Sequence, residues 1–300
     1  MPTPPLQRPL ADWLDAPIQR LRAHRRALSA TLTTCILLVI AITGIGQALS
    51  VVSGDPNAMS TSQLGVMMLG VGVAAILTGA LVTLVEMVAC VGVDSVARGE
   101  RLTMSELLRC AVQRPLITAA VVRMLFHLSM AILTIISCGI GLIVWLVAYL
   151  YIPLVFPVAV REGVGGLQAH LRSVNLINWR PRGGPWYGSV DRVVVAVHVV
   201  AGLAYALWAL PNLPSLAWMG VTAWELITSG AVDPLTIQEQ LVPPIWLTLP
   251  VQLASNVLGL LTTLYSQQLY LDLHADLRDA REGHDLHAAL DRLGAPTADG

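Results

Sequence analysis

The chain reads as an all-α, polytopic membrane protein with six transmembrane helices and amphipathic helices along one face. Three observations predict this. Hydrophobic residues make up 55% of the 300 residues and charged ones only 12%, about half the charged share of a soluble domain, so lipid must solvate much of the surface. Apolar runs recur at a length that suits membrane passes, since a bilayer core of about 30 Å needs roughly 20 helical residues. All 18 basic residues are arginines, and nearly all sit at alternate junctions between those runs.

The elements follow in order. Residues 1–27 form an amphipathic leader, with Trp13, Leu14, Ile18 and Leu21 opposite Arg20 and Arg22. The transmembrane domain spans 28–271, with passes at about 28–49, 64–91, 115–137, 139–160, 190–210 and 245–271. Cys138-Gly139-Ile140-Gly141 supplies the tight turn between the third and fourth. Residues 272–300 are a tail in which Asp285 caps a short helix, Gly283 breaks the chain before it and Gly294 ends it. Thr103-Met104-Ser105-Glu106 fits a capping box that opens a junction helix, with Leu107, Leu108, Ala111 and Val112 as its apolar stripe.

Orientation comes from the arginines. Arg8, Arg20, Arg22, Arg25 and Arg26 precede the first pass, Arg98, Arg101, Arg109 and Arg114 follow the second, and Arg161, Arg172, Arg180, Arg182 and Arg192 follow the fourth. Val51–Gln63, Ser137–Gly141 and Pro211–Pro244 contain no Lys or Arg. By the positive-inside rule both termini are cytoplasmic. Pro211–Pro244 is then the long outer segment, with Trp218 and Trp224 suited to the headgroup belt. The absence of lysine suggests a high-GC bacterial genome, and hence a bacterial inner (cytoplasmic) membrane.

Composition also narrows function. A net charge of −1 segregated by membrane side gives no surface for nucleic acid. Cys35, Cys90, Cys110 and Cys138 fall in or beside different apolar runs without a C-x-x-C pair, so they read as small buried hydrophobes rather than a disulfide framework. The first apolar run follows a long polar leader and is too long for a signal-peptide core. No nucleotide, serine-hydrolase or zinc-protease motif is present. His274, His284 and His287 with Asp285 lack a fixed fourth ligand, so neither a metal nor a cofactor is expected.

The intramembrane ionisable residues are the candidate site. Glu86, Arg123, His127 and His198 fall at similar depth, and His127 follows Arg123 by one helical turn. Together they can build a proton relay or an anion site; the plainer alternative pairs Arg123 with Glu86 or lets it snorkel. Asn256, with Gln252, Ser255 and Gln267, makes the last pass polar enough for interhelical hydrogen bonds. Ala75/Gly79, Gly202/Ala206 and Ser255/Gly259 are small pairs suited to close helix contact. Arg109, Arg172, Arg278 and Arg281 form a cytoplasmic face for lipid headgroups or a partner. Arg98/Arg109, Arg161/Arg172 and Arg281/Arg292 share a spacing of eleven, a possible threefold hairpin repeat.

Two stretches carry a family resemblance. Asp276-Leu277-Arg278, Arg281-Glu282-Gly283 and Asp285-Leu286 give D-L-R-x-x-R-E-G-x-D-L after the last pass. Glu162-Gly163, Leu171-Arg172-Ser173 and Leu176 form an E-G…L-R-x-S-x-x-L element. These resemble the glycerophosphoryl diester phosphodiesterase membrane-domain-like proteins, although His274-Ala275 replaces aromatic residues usual before the tail motif and Arg180–Pro185 looks altered. The resemblance implies a stand-alone six-helix membrane protein of unassigned role, with no catalytic residues to carry over. The expected function is a non-enzymatic accessory or organising membrane protein. Its partners are the lipid bilayer and other membrane proteins, in an oligomeric state the sequence leaves open. The alternative is a transporter or permease subunit using Glu86, Arg123, His127 and His198.

Overall fold

The computed structural model describes residues 10–52, 61–137, 144, 150–178, 190–229 and 245–294, and these are all-α. The helices are α1 (Leu10–Ala23), α2 (Ser29–Val52), α3 (Thr61–Ala97), α4 (Met104–Ala111), α5 (Arg114–Ile136), α6 (Val155–Glu162), α7 (Gly166–Ile177), α8 (Val190–Ser229) and α9 (Ile245–Gly294). The chain divides into two compact units, 1–197 with 264–300, and 198–263. Among the described residues two stretches are long and apolar enough to cross a membrane, Gly72–Ala97 and Arg114–Thr134; the apolar helical stretches Ser29–Ile45 and Val193–Ala204 are shorter.

In the first unit α2 and α3 pack as an antiparallel pair. Thr31 lies against Gly92, and further along Cys35 Sγ meets the Val85 carbonyl at 3.9 Å. A side chain at Gly92 would run into Thr31, so glycine sets this approach. Gly165 does the same beneath Pro115 and Thr118, where α7 meets α5. The small residues singled out from the sequence do otherwise: a Cβ at Gly79, Gly202 or Gly259 would meet nothing within 4 Å. Spacing of small residues marks where backbones can approach, whereas the approach itself depends on which face a neighbour covers.

The core lies at the arginine-bearing ends of these helices. Along α3 the side chains from Val85 to Val96 are buried apart from the half-buried Glu86, while Leu69, Val73, Ile76 and Leu77 are exposed. α5 repeats the gradient, from buried Leu116, Ala119 and Ala120 to exposed Leu125, Leu128 and Ile132. On α9, Leu269, Leu271, Leu273 and Leu277 are fully covered. In the second unit Asn212 Nδ2 donates to Ser255 Oγ at 3.0 Å, and Leu210, Leu213, Trp218, Trp224 and Val257 are exposed.

The junctions form the short helices expected. Thr103 and Glu106 make the capping box: the Thr103 amide donates to the Glu106 carboxylate at 2.8 Å and the Glu106 amide to Thr103 Oγ1 at 3.4 Å. Of the predicted stripe, Leu107 and Ala111 are buried, Leu108 is half-buried and Val112 is exposed at the helix end. α3 ends in a Schellman motif, with Gly99 at φ 78°, its amide on the Val96 carbonyl and the Glu100 amide on the Ser95 carbonyl. α6 also ends on a left-handed glycine, Gly163 at φ 68°. Arg98-Gly99 and Arg161-Glu162-Gly163 are therefore the same device, a helix closed by glycine before a short helix.

Four expectations change. The third repeat does not form, because Gly283 lies inside α9 rather than closing a helix. An internal glycine costs only about 1 kcal/mol against alanine, and the Leu-, Ala- and Arg-rich flanks carry the helix through it. The separate tail helix from Asp285 is accordingly the last described part of α9, which is helical as far as Gly294. Pro211–Ser229, assigned to an outer loop, continues α8 through Pro211 and Pro214; each proline removes one amide from the ladder, and the apolar residues around them keep the helix. The helix of the expected second pass runs on to Ala97, where glycine stops it, rather than to residue 91. Most of the fourth pass, residues 179–189 with Arg180 and Arg182, and 230–244 lie outside the described residues.

Candidate functional site

The structure brings three of the four predicted intramembrane residues together. Arg123 on α5 reaches Glu86 on α3, with Nη1 2.6 Å from Oε2 and Nη2 donating to Oε1 at 3.3 Å. The shorter contact is out of line for a hydrogen bond and acts as a charge contact. Arg123 Nε donates to His127 Nε2 at 3.4 Å, one turn along the same helix. Its guanidinium also stacks over the Phe156 ring, 4.9 Å from the centroid, a cation–π contact. Phe126 meets the His127 ring edge-on. This is the pairing alternative: the arginine is held by a carboxylate, an imidazole and an aromatic face.

His198 and Asn256 belong to the second unit, where His198 is exposed and Asn256 half-buried. Of the face residues, Arg109 is exposed on α4 and Arg281 half-buried on α9. Arg172 and Arg278 are engaged in ion pairs.

A second constellation, which the sequence reading missed, ties the arginine-bearing helix ends together. Asp94, 2% exposed near the end of α3, accepts from Arg98 one turn on and from Arg161 Nε at 2.8 Å. Arg161 Nη1 also donates to the Leu271 carbonyl of α9 at 3.0 Å. The next residue, Glu162, accepts from Arg172 Nε of α7 at 2.8 Å and faces His274 Nε2 of α9 at 3.0 Å. Arg161 and Glu162 thus join α3, α6, α7 and α9. On the other side α1 runs parallel to α9: Tyr265 donates to the Leu14 carbonyl at 3.3 Å, and Arg20 pairs with Asp272.

The two family-like stretches meet here. Glu162, Arg172 and Ser173 of one are bonded to each other's surroundings, Ser173 Oγ donating to the Tyr151 carbonyl at 2.6 Å. Leu176 of the first stretch and Leu277 of the second are fully buried. Glu282 of the tail bonds Arg278 and lies 3.8 Å from Arg172. Residues of both stretches thus belong to the core at the arginine-bearing helix ends.

Burial and partners set the protonation states. For Glu162, burial works against the charge, but hydrogen bonds from Arg172 and His274 outweigh it and hold the carboxyl below its usual value. Burial pushes the fully covered His274 ring down despite Glu162. A neutral ring donating Nε2–H to Glu162 leaves Nδ1 as a bare acceptor, which matches the absence of a partner there. His170 is similar: burial lowers it, its Nδ1 hydrogen bond to the Gly166 carbonyl opposes this, and the Arg123 charge adds to the lowering. Chemically this is a set of ion pairs and hydrogen bonds between helices. Among the described residues no group of three His, Cys, Asp or Glu is placed to hold a metal ion.

Asp94 was legible in principle, four residues before Arg98 at the end of a helix with few acids. It was passed over because positive-inside counting weighs arginines and gives acids almost no weight. His274 was read as a departure from the tail motif, whereas its burial depends on α6 and α9 meeting. Neither a family model, nor a curated protein, nor a solved structure matches this chain.

Proposed function

We propose that the chain is a multi-pass protein of the bacterial inner membrane, with six passes and both termini cytoplasmic, that acts as an accessory or organising protein without a catalytic domain. Membership of the glycerophosphoryl diester phosphodiesterase membrane-domain-like group is part of this reading, supported by residues of both motif stretches belonging to the core at the arginine-bearing helix ends. One observation carries the functional half: the buried Asp94 and the half-buried Glu162 and Glu86 are each paired with arginine across helices. Transport chemistry needs ionisable groups that exchange partners, whereas pairs of this kind hold helices in one arrangement. A rigid cytoplasmic platform on lipid-solvated helices suits a protein that positions others.

Reporter fusions test the topology. Those at Asp55, Gly141 and Val232 should report the outside, and those at Gly99, Gly183 and Gly300 the cytoplasm; one inverted position breaks the six-pass count. Proteoliposomes with a pH-sensitive dye inside test the role. The accessory reading expects no proton leak above that of empty vesicles, while a leak abolished by Glu86→Gln would favour the transporter.

A further inference from the structure

A cavity of about 180 Å³ opens between α1, the start of α2, the end of α3 and α9, lined by Arg20, His24, Leu28, Val93, Ala97 and Gln268. At roughly 30 Å³ per water it holds several molecules' worth of ligand. We propose that this cavity binds the phosphate of an anionic phospholipid headgroup, an assignment that rests on the membrane reading above.

Its chemistry is two-sided. Arg20 and His24 stand at the rim, both exposed, whereas Leu28 and Val93 at the floor are 4% and 2% exposed. Arg20 is anchored by Asp272, which also accepts from Gln268 Nε2 at 3.0 Å. A guanidinium carries five N–H donors, so this anchoring orients Arg20 and leaves donors for a phosphate. The Asp272 charge is thereby balanced, and Asp94, next to Val93, is balanced by Arg98 and Arg161. The excess is positive: residues 16–54 contain no Asp or Glu, and Arg22, Arg25 and Arg26 beside the rim are exposed and outside every ion pair seen among the described residues.

Position selects a lipid over free phosphate. Val93 and Ala97 belong to the last turns of the Gly72–Ala97 span, so the cavity sits where that helix leaves the apolar layer and headgroups begin. An apolar floor offers nothing to a fully hydrated anion, but it covers the glycerol and ester carbons that accompany a headgroup phosphate.

The test uses the full chain in a neutral detergent, titrated with phosphatidylglycerol, phosphatidylcholine or inorganic phosphate, with bound ligand read by native mass spectrometry. Phosphatidylglycerol should bind in preference to phosphatidylcholine. Losing one arginine–headgroup contact, worth about 1 kcal/mol, should weaken it about fivefold in Arg20→Gln. Ala97→Trp fills the cavity while leaving the Arg20–Asp272 pair in place, and should abolish the preference; Arg101→Gln, on an exposed residue away from the cavity, should keep it. Equal binding of the two lipids would overturn the proposal. So would unaltered preference in Ala97→Trp, which would mean diffuse attraction to arginines, or inorganic phosphate competing as well as the lipid. Solubility without detergent, checked before any lipid is added, would instead remove the membrane reading and the headgroup assignment with it.

Discussion

The arginine-bearing ends of the first unit and the helices of the second are made from similar apolar residues, yet they are held by different forces. At the arginine-bearing ends, Val88, Ala89, Leu107, Phe156, Leu176 and Leu277 are packed to 0–1% exposure around Asp94, Glu162 and His274. In the second unit Leu210, Leu213, Val221, Trp224 and Val257 are each more than half exposed, and Asn212 ties to Ser255 by a side-chain hydrogen bond. Where water reaches the helix ends, burying apolar surface is favourable and charges can be paired in place. Where lipid is the solvent, exposing leucine has no such cost and packing needs small residues or hydrogen bonds. The arginine-bearing ends are therefore where this protein is built like a soluble core.

The largest effect that would break this contrast is at Asp94. Asp94→Leu leaves the half-buried Arg161 without its carboxylate and should destabilise the first unit by about 3 kcal/mol, read by denaturant unfolding in detergent. A loss below about 1 kcal/mol would mean that the arginine-bearing ends are no better ordered than the lipid-facing ones. Next in size, Gly165→Ala forces a methyl onto the Pro115 backbone and should cost about 1–3 kcal/mol. Gly259→Ala in the second unit meets nothing and should be neutral or slightly stabilising, because alanine is the better helix former. Equal losses at the two glycines would erase the difference between the regions.

The Glu86–Arg123 pair should show coupling of roughly 1 kcal/mol in a double-mutant cycle of Glu86→Gln and Arg123→Gln, since each single change strands a charge. Additive losses would mean that the pair contributes no coupling to the core. The smallest effect is on pH dependence. His274 is held below its ordinary 6.5, so the unfolded chain takes up its proton first and stability should fall as pH drops through about 6.5. Glu162, held below its ordinary 4.5, extends the loss further into acid, where the Arg172 and His274 bonds go. Unfolding midpoints between pH 8 and pH 5 should drop in the native chain and flatten in His274→Gln; an unchanged slope in that variant would assign the dependence to another group.

Local chemistry made several of these features legible. Thr103 and Glu106 sit three apart before an apolar stripe, so the capping box of α4 needs nothing beyond its own residues. Glu86 and Arg123 are costly enough in an apolar run that their pairing was an open alternative from the start. The Arg98 and Arg161 junctions share a spacing because both close a helix on glycine. Gly283 misled for the same reason, since an Arg-Glu-Gly triplet reads identically whether the helix stops or continues.

Composition, run length and arginine placement determined by themselves that this is a helical chain with apolar spans and a charged face, because those properties are sums over local residues. Tertiary structure decided which charges meet. Asp94 with Arg161, Glu162 with His274 and Arg20 with Asp272 are separated by 67, 112 and 252 residues. No local propensity carries information over such distances; only the burial of Leu271, Leu273 and Leu277 against the arginine-bearing ends brings these partners within reach.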